Sequence, residues 1–448
     1  VTAGGPPGTA RSVLLRGAEV DGRRTDVLVR GGQVVPGDGR RVDEVVECAG
    51  GALLPGLVDH HLHLHALAAA ERSERCPSDP AALGRVLAAA AGDEHGWVRG
   101  VGFPGDDLDV DLLDRLHPSR PVRVQHRSGA LWVLNTAALE RIGPLDHPGV
   151  ERVAGVPTGR ILRGDDWLRS RLPPAEPFDL AALGARLARL GLTALTDATP
   201  DVEAGAARSL TAVPQHLTLL GVSLGEIAPE GAVAGPYKIV LADSGLPDLE
   251  ELTDRIRAAH AAQRPVAVHT VTRESLVLLL AALDDAGRLP GDRVEHAALV
   301  PAELIGELRG LAVVTQPGFL ADRGDLFRRE VPAVEHPDLY RCASLRDHGV
   351  PVAFSSDAPY GPVDPWRVID AAVTRATPDG DALGPGEAVS AREALDFYLA
   401  GRPGGPVRRV TAGAEADLVL LHEPLDVALR SPSADGVRQV WIGGVPVR

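Results

Sequence analysis

Between residues 57 and 357 the chain alternates short apolar runs with helical patterns, and that alternation is the tightest constraint on its fold. The runs cover 57–63, 192–197, 216–222, 237–243, 266–271, 293–299, 312–316 and 352–357. Each is short, mostly Val, Leu, Ile or Ala, and bounded by turn or polar residues, as buried parallel strands are. Helical periodicity falls between them at 180–190, 248–262, 274–286, 301–308 and 345–348, with a late helix at 391–400. Such alternation predicts a parallel α/β sheet. Eight strands suit closure into a (β/α)8, TIM-like barrel. Active sites on that fold gather at the strand ends, so the residues where each run stops carry the chemistry.

The two ends of the chain have another texture. Residues 11–46 hold the runs Ser12-Val13-Leu14-Leu15 and Asp26-Val27-Leu28-Val29, broken by Gly31-Gly32 and Gly37-Asp38-Gly39. That is β-hairpin patterning. Residues 416–421 and 437–447, with a Gly443-Gly444 turn, repeat it. Two β-rich ends around an α/β middle predict one small sheet domain built from 1–55 and 405–448, leaving 56–404 for the barrel. Two unrelated hairpins are the alternative. Residues 66–172 do not fit the barrel repeat. They carry strand patterns at 97–103 and 122–125 and a helix at 137–142, which predicts an inserted α/β subdomain near the barrel mouth. Insertions there set substrate choice.

A hydrophobic content of 44% suits a globular core, and a net charge of -15 argues against nucleic acid or an acidic membrane surface as partner. No apolar run reaches membrane-span length. The three cysteines, Cys48, Cys76 and Cys342, form no Cys-x-x-Cys, which points to a reducing compartment, the cytoplasm. Residues 1–11, rich in Gly, Pro and Thr, are expected to be a flexible leader.

The first run ends in Asp59-His60-His61-Leu62-His63 and follows Pro55-Gly56. Side chains alternate along a strand, so His61 and His63 project to one side. Two imidazoles there can share a metal ion, and their borderline softness suits zinc. His60 faces the other way, and His65 is expected to be a loop histidine. The stretch Pro-Gly-aliphatic-aliphatic-Asp-x-His-x-His resembles the opening motif of the amidohydrolase superfamily. That resemblance implies a metal-dependent hydrolase barrel with a β-sandwich made from both chain ends. It selects His61 and His63 as ligands.

Later runs carry further candidates. Lys238 stands inside the apolar run 236–242, where an uncompensated ammonium is costly. It is either paired or snorkelled, or it is modified. The resemblance implies modification: in many amidohydrolases this lysine is carboxylated by carbon dioxide and bridges two metal ions. The runs ending in His269 and in Glu295-His296 are similar to those bearing the superfamily's two later histidines. Ser355-Ser356-Asp357-Ala358-Pro359 resembles the last-strand motif whose aspartate binds metal and moves protons. The implied ligand set is His61, His63, Lys238, His269, His296 and Asp357, around one or two divalent ions, with zinc expected. Such an ion lowers the pKa of bound water from about 15.7 toward about 7, giving hydroxide, and polarises the scissile carbonyl. Asp357 is then the expected general base and later general acid. His296 and His269 would hold a second ion, or in a one-metal site one of them would bond the carbonyl oxygen.

Residues 97–102, 132–139, 315–317, 356–359, 372–375 and 416–420 are similar to the N-substituted formamide deformylase-like branch, amidohydrolase family 3. The branch hydrolyses non-peptide carbon–nitrogen bonds, which implies a small amide, N-substituted formamide or N-acyl substrate. The chain departs from it in reading His126-Arg127-Ser128-Gly129-Ala130-Leu131-Trp132 where the branch often has Asp-Gly-His before the Trp/Asn segment. After His269 it reads Thr270-Val271-Thr272-Arg273 in place of a Gly-Asp. Both departures bear on the substrate. Arg127, Trp132, Arg273, Gln316 and Tyr360 are candidate substrate contacts. Arg127 and Arg273 form a candidate bidentate clamp for a carboxylate. The alternative is a ring-opening hydrolase of cyclic amides or imides, or a deaminase, although deaminases usually lack the strand lysine. A non-catalytic scaffold relative would tend to have lost ligands that this chain keeps. A homodimer is left open.

Overall fold

All eight apolar runs contain strands in the computed structural model, which describes residues 11–37, 39–174, 176–242 and 245–447. Ten of the eleven residues of the expected leader lie outside the described residues, as do Asp38 of the expected Gly-rich turn and Asp243 at the end of the fourth run. The strands are Leu57–Leu62, Leu192–Asp197, His216–Leu219, Tyr237–Val240, Val266–Thr270, Arg293–His296, Ala312–Thr315 and Val352–Phe354.

Parallel pairing joins the first three in space order. It also runs unbroken from Tyr237–Val240 to Val352–Phe354. Backbone hydrogen bonds connect the two sheets at both edges. Lys238 N–H donates to Leu220 O at 3.2 Å, Asp357 N–H to His61 O at 2.8 Å and His63 N–H to Ala358 O at 2.9 Å. The eight strands therefore close into a ring. A short strand absent from the sequence reading, Ala232–Ala234, pairs parallel with His216–Leu219. Three residues carry too little pattern to be told from a loop.

Strands covered on both faces lose all contact with water, as Val266, Ala267 and Val268 do at 0% exposure. The covering helix Arg273–Ala286 buries Leu276, Leu279, Leu280 and Leu283, one face at helical spacing. Each such leucine contributes roughly 1.5–3 kcal/mol when fully buried. The helix starts where Thr272 and Ser275 cap each other's backbone N–H and stops at Gly287, whose φ of 81° suits glycine. Helices Gly318–Glu330 and Pro365–Thr374 were not legible in the sequence. The first is charged along most of its length, which blurs its apolar face. The expected helix at 301–308 is a 3-10 helix over Ala302–Leu308.

The chain ends form two four-stranded sheets. One holds Ser12–Val20, Arg23–Arg30, Gln33–Val35 and Glu44–Glu47; the other holds Leu53–Pro55, Leu418–Leu421, Val437–Ile442 and Val445–Pro446. A single apolar cluster, including Val13, Leu15, Val29, Leu418, Leu420 and Trp441, draws on both sheets. The chain divides into two compact units, Val1–Leu64 with Leu180–Arg448, and His65–Asp179. The smaller unit is a six-stranded sheet with helices Pro80–Ala89, Val110–Leu116, Thr136–Ile142 and Asp165–Arg171. In it the buried Asn135 accepts from Val122 and Ala138 N–H and donates to His117 and Arg120 carbonyls, so every polar atom of its amide is paired. Among the described residues no helix is long and apolar enough to cross a membrane.

Candidate metal centre

The strand ends bring His61, His63, Lys238, His269, His296 and Asp357 together. Asp357 Oδ1 lies 3.3 Å from His63 Nε2 and 3.5 Å from His61 Nε2. Lys238 Nζ lies 3.4 Å from His61 Nε2. The His296 ring centre is 4.7 Å from that of His61 and 4.4 Å from that of His269.

The backbone makes this convergence where strand alternation alone would not. Alternation sends Glu295 and His296 to opposite faces, yet His296 has φ 69° and Ala297 φ 44°. That left-handed turn swings His296 back toward the cluster. Asp357, with φ 51°, turns in the same way. Non-glycine residues at such angles cost on the order of 1–3 kcal/mol each, and they concentrate at functional sites.

Each of three histidines has its Nδ1 committed. The fully buried Glu295 Oε2 meets His61 Nδ1. Thr199 Oγ1 lies 3.1 Å from His63 Nδ1, and Gln316 Oε1 lies 2.9 Å from His296 Nδ1. Gln316 Nε2 donates to Ser355 Oγ at 2.8 Å, which sets the amide with its oxygen toward the histidine. With Nδ1–H spent in this way, Nε2 keeps its lone pair for a ligand. Further carboxylates hold the frame. Asp59 Oδ1 accepts from His61 and Ser356 N–H, and Asp197 accepts from Leu64 and Thr199 N–H.

Burial, with the Lys238 charge next, holds His61 well below the ordinary histidine range. Burial followed by the neighbouring His269 does the same for His296, and burial with Lys238 takes His269 down to about 3. All three are therefore neutral imidazoles, the ligand form. Burial also lowers Lys238 to about 8, against the pull of Glu295 and Asp357.

The donor set fits a divalent ion. One donor atom each from His61, His63 and Asp357 lies within 4.8 Å of the others. Asp357 Oδ1 is buried and receives no hydrogen bond among the described residues. Imidazole lone pairs and a carboxylate oxygen aimed at one another have no stable arrangement without a proton or a cation between them.

The amidohydrolase family profile matches residues 44–448. The chain belongs to the amidohydrolase family, in its family 3 branch. It is 25% identical over 522 aligned positions to the N-substituted formamide deformylase of Arthrobacter pascens, covering 97% of this chain and 94% of that one. A metal-dependent hydrolase of Pyrococcus horikoshii OT3 superposes with a TM-score of 0.72 at 19% identity, covering 94% of this chain and 100% of that one. A mutant atrazine chlorohydrolase of Arthrobacter aurescens TC1, solved with zinc and atraton, gives 0.54 at 14% identity over 97% and 94%. These two structural likenesses show the fold alone.

The expected substrate contacts of this amidohydrolase divide between the two compact units. Trp132 is 4% exposed in the core of the smaller unit, donates its indole N–H to Asp165 at 2.8 Å and lies near the Arg99 and Arg123 guanidiniums. It is a packing residue, which corrects the expectation. Arg127, half-buried, belongs to the same unit. Gln316 is 1% exposed and spent on His296, so it orients that histidine instead of facing a substrate. Arg273 pairs with Glu335 at 3.2 Å, so its charge is already compensated. Tyr360 sets its ring edge-on to His63, with centres 5.7 Å apart.

Sequence reasoning missed Glu295, Thr199, Asp59 and Asp197. Glu295 and Asp59 were visible as carboxylates inside apolar runs, where a charge needs a partner. Thr199 carried no such signal.

Proposed function

We propose that this amidohydrolase uses a divalent metal to hydrolyse a non-peptide carbon–nitrogen bond in an amide, N-substituted formamide or N-acyl compound. The observation that carries it is the meeting of His61 Nε2, His63 Nε2 and a buried, unbonded Asp357 Oδ1. The formamide deformylase relative supports the bond type.

His61, His63 and Asp357 would hold one ion, zinc by donor chemistry, and Lys238, His269 and His296 a second. A bound ion supplies an activated water by lowering its pKa toward about 7, and it polarises the carbonyl. Asp357 takes the proton of the attacking water on the carboxylate oxygen left out of ligation, then returns it to the leaving nitrogen. His296 gives its Nδ1 proton to Gln316, so its Nε2 is an acceptor. That favours a ligand role over a bond to the carbonyl oxygen. Lys238, buried with its amine beside His61, would be the residue carboxylated by carbon dioxide, and that burial supports the reading.

A second reading rests on Glu295. Its charge acts on Lys238, and an unmodified ammonium balanced by Glu295 and Asp357 would leave room for one ion. Elemental analysis decides between them: two ions per chain, falling when carbon dioxide is excluded, support carboxylation, and one ion regardless supports the second reading. A metal-replete protein that cleaves no member of an amide, formamide and N-acyl panel overturns the function itself.

The same reading takes 56–404 as the catalytic barrel, 66–172 as the inserted subdomain, and 1–55 with 405–448 as a β-sandwich. The apolar cluster shared by the terminal sheets and the separate unit His65–Asp179 support it. Three unpaired, buried cysteines support a reducing compartment such as the cytoplasm.

A further inference from the structure

A cavity of about 290 Å3 opens just past the strands that end in Thr270 and His296. Val271, Leu299, Phe327, Val331 and Tyr340 form its apolar wall. Val271 stands two residues beyond His269, and Ala298, also in the wall, stands two beyond His296. On another side, Tyr360 packs in the same apolar cluster as Val271, Leu299 and Phe327 while its ring lies 5.7 Å from that of His63. The cavity therefore lies beyond the same strand ends that carry His269 and His296, walled by residues that follow them in the chain. Its charged residues are Arg273, Glu274 and Glu335, and Arg273 is bonded to Glu335.

We propose that this cavity receives an uncharged, apolar substituent of the scissile amide, and that no carboxylate is clamped there. The inference rests on the hydrolytic reading above and narrows its substrate class. An entering carboxylate would have to break the Arg273–Glu335 pair and face Glu274 and Glu335 in a largely apolar space, which is costly. An alkyl or aryl group loses only its contact with water. The volume lies near the lower bound of about 300 Å3 for ligand pockets, so the cavity takes one substituent and not a large whole ligand. Arg375 keeps the wall in place, donating to the carbonyls of Leu339 and Tyr340 from a fully buried guanidinium.

Two measurements on the metal-loaded full chain test this. First, straight-chain 1-alkanols, neutral and not hydrolysable, are titrated and their binding followed by ligand-observed NMR. Affinity is expected to rise roughly fourfold per methylene until the cavity is full. Val331→Trp, which fills the cavity, is expected to abolish that dependence, and Phe327→Ala to extend it to longer chains. Second, kcat/KM is measured for N-alkylformamides of rising length and for the same series ending in a carboxylate. The neutral series is expected to climb with length and the anionic one to stay at least tenfold below it. Flat alkanol binding, a dependence that survives Val331→Trp, or an anionic series equal to the neutral one overturns the inference. Length-dependent alkanol binding with no member of the amide, formamide and N-acyl panel turned over leaves the cavity assignment standing and removes the hydrolytic reading instead.

Discussion

Glu295 Oε2 meets His61 Nδ1 in a fully buried contact, and that pairing decides which nitrogen His61 can present to an ion. Arg293 Nε, 2.5 Å from Glu295 Oε1, holds the carboxylate from its other side. The arrangement is a relay from Arg293 through Glu295 to His61, 234 positions apart in the chain at its last step.

Glu295→Gln keeps the shape and removes the charge. Metal affinity is expected to fall about 10–100-fold, as when a ligand histidine loses its orienting carboxylate. Chelator competition measures it, with circular dichroism reporting the fold. Wild-type affinity in a folded variant would refute the orienting role.

Asp357→Asn should fold and retain metal at saturating zinc through the histidines, because the amide is nearly isosteric. It cannot accept and return a proton, so kcat should drop by about 10²–10⁴-fold or more. Retained turnover would show that another group moves the proton.

The His216–Asp417 pair, with Nε2 and Oδ2 2.8 Å apart, makes a pH prediction away from the metal centre. The hydrogen bond to Asp417 raises His216 above 6.5. Burial pushes Asp417 up, but the bonds from His216 and the Gly443 N–H outweigh it and leave it below 3.8. A raised histidine contributes stability that is full below pH 6.5 and lost as pH rises through its folded value. A lowered carboxylate contributes stability that is full above pH 3.8 and lost as pH falls through its folded value. The pair is thus at full strength between about pH 4 and 6.5. The difference in melting temperature between wild type and His216→Ala should shrink above that window. A difference that grows with pH would contradict the assignment.

Arg375 has 0% exposure and donates to three carbonyls, those of Leu383, Tyr340 and Leu339, at 2.8, 3.0 and 2.7 Å. Arg375→Met leaves the buried Leu339 and Leu383 oxygens without the guanidinium and the Tyr340 oxygen with only the Cys342 thiol, and should cost on the order of 3 kcal/mol in denaturant unfolding. A loss under about 0.5 kcal/mol, the range of neutral surface changes, would show that water replaces the guanidinium.

Strand positions and the residue types at their ends were legible because both are local. A short, nearly continuous apolar run bounded by turn residues declares a strand over a few residues, and a histidine or aspartate where the run stops needs no knowledge of distant neighbours. The family resemblance then singled out His61, His63, Lys238, His269, His296 and Asp357 among such residues, and the structure gathers them. The helix Gly318–Glu330 was not legible because its charges hide its buried face. Trp132 and Gln316 were misjudged because an aromatic ring and an amide serve a core or a neighbour as readily as a ligand.

The sequence by itself determined the order of the eight barrel strands and the chemical types available to the centre, which follow from apolar patterning and from which side chains can bind a metal, and its motifs carried the family resemblance. Only the tertiary structure decided that Glu295, Thr199 and Gln316 orient the histidines and that Arg273 is compensated by Glu335. Those outcomes depend on left-handed turns at His296 and Asp357 and on contacts across 20 to 234 positions of chain, which no local pattern encodes.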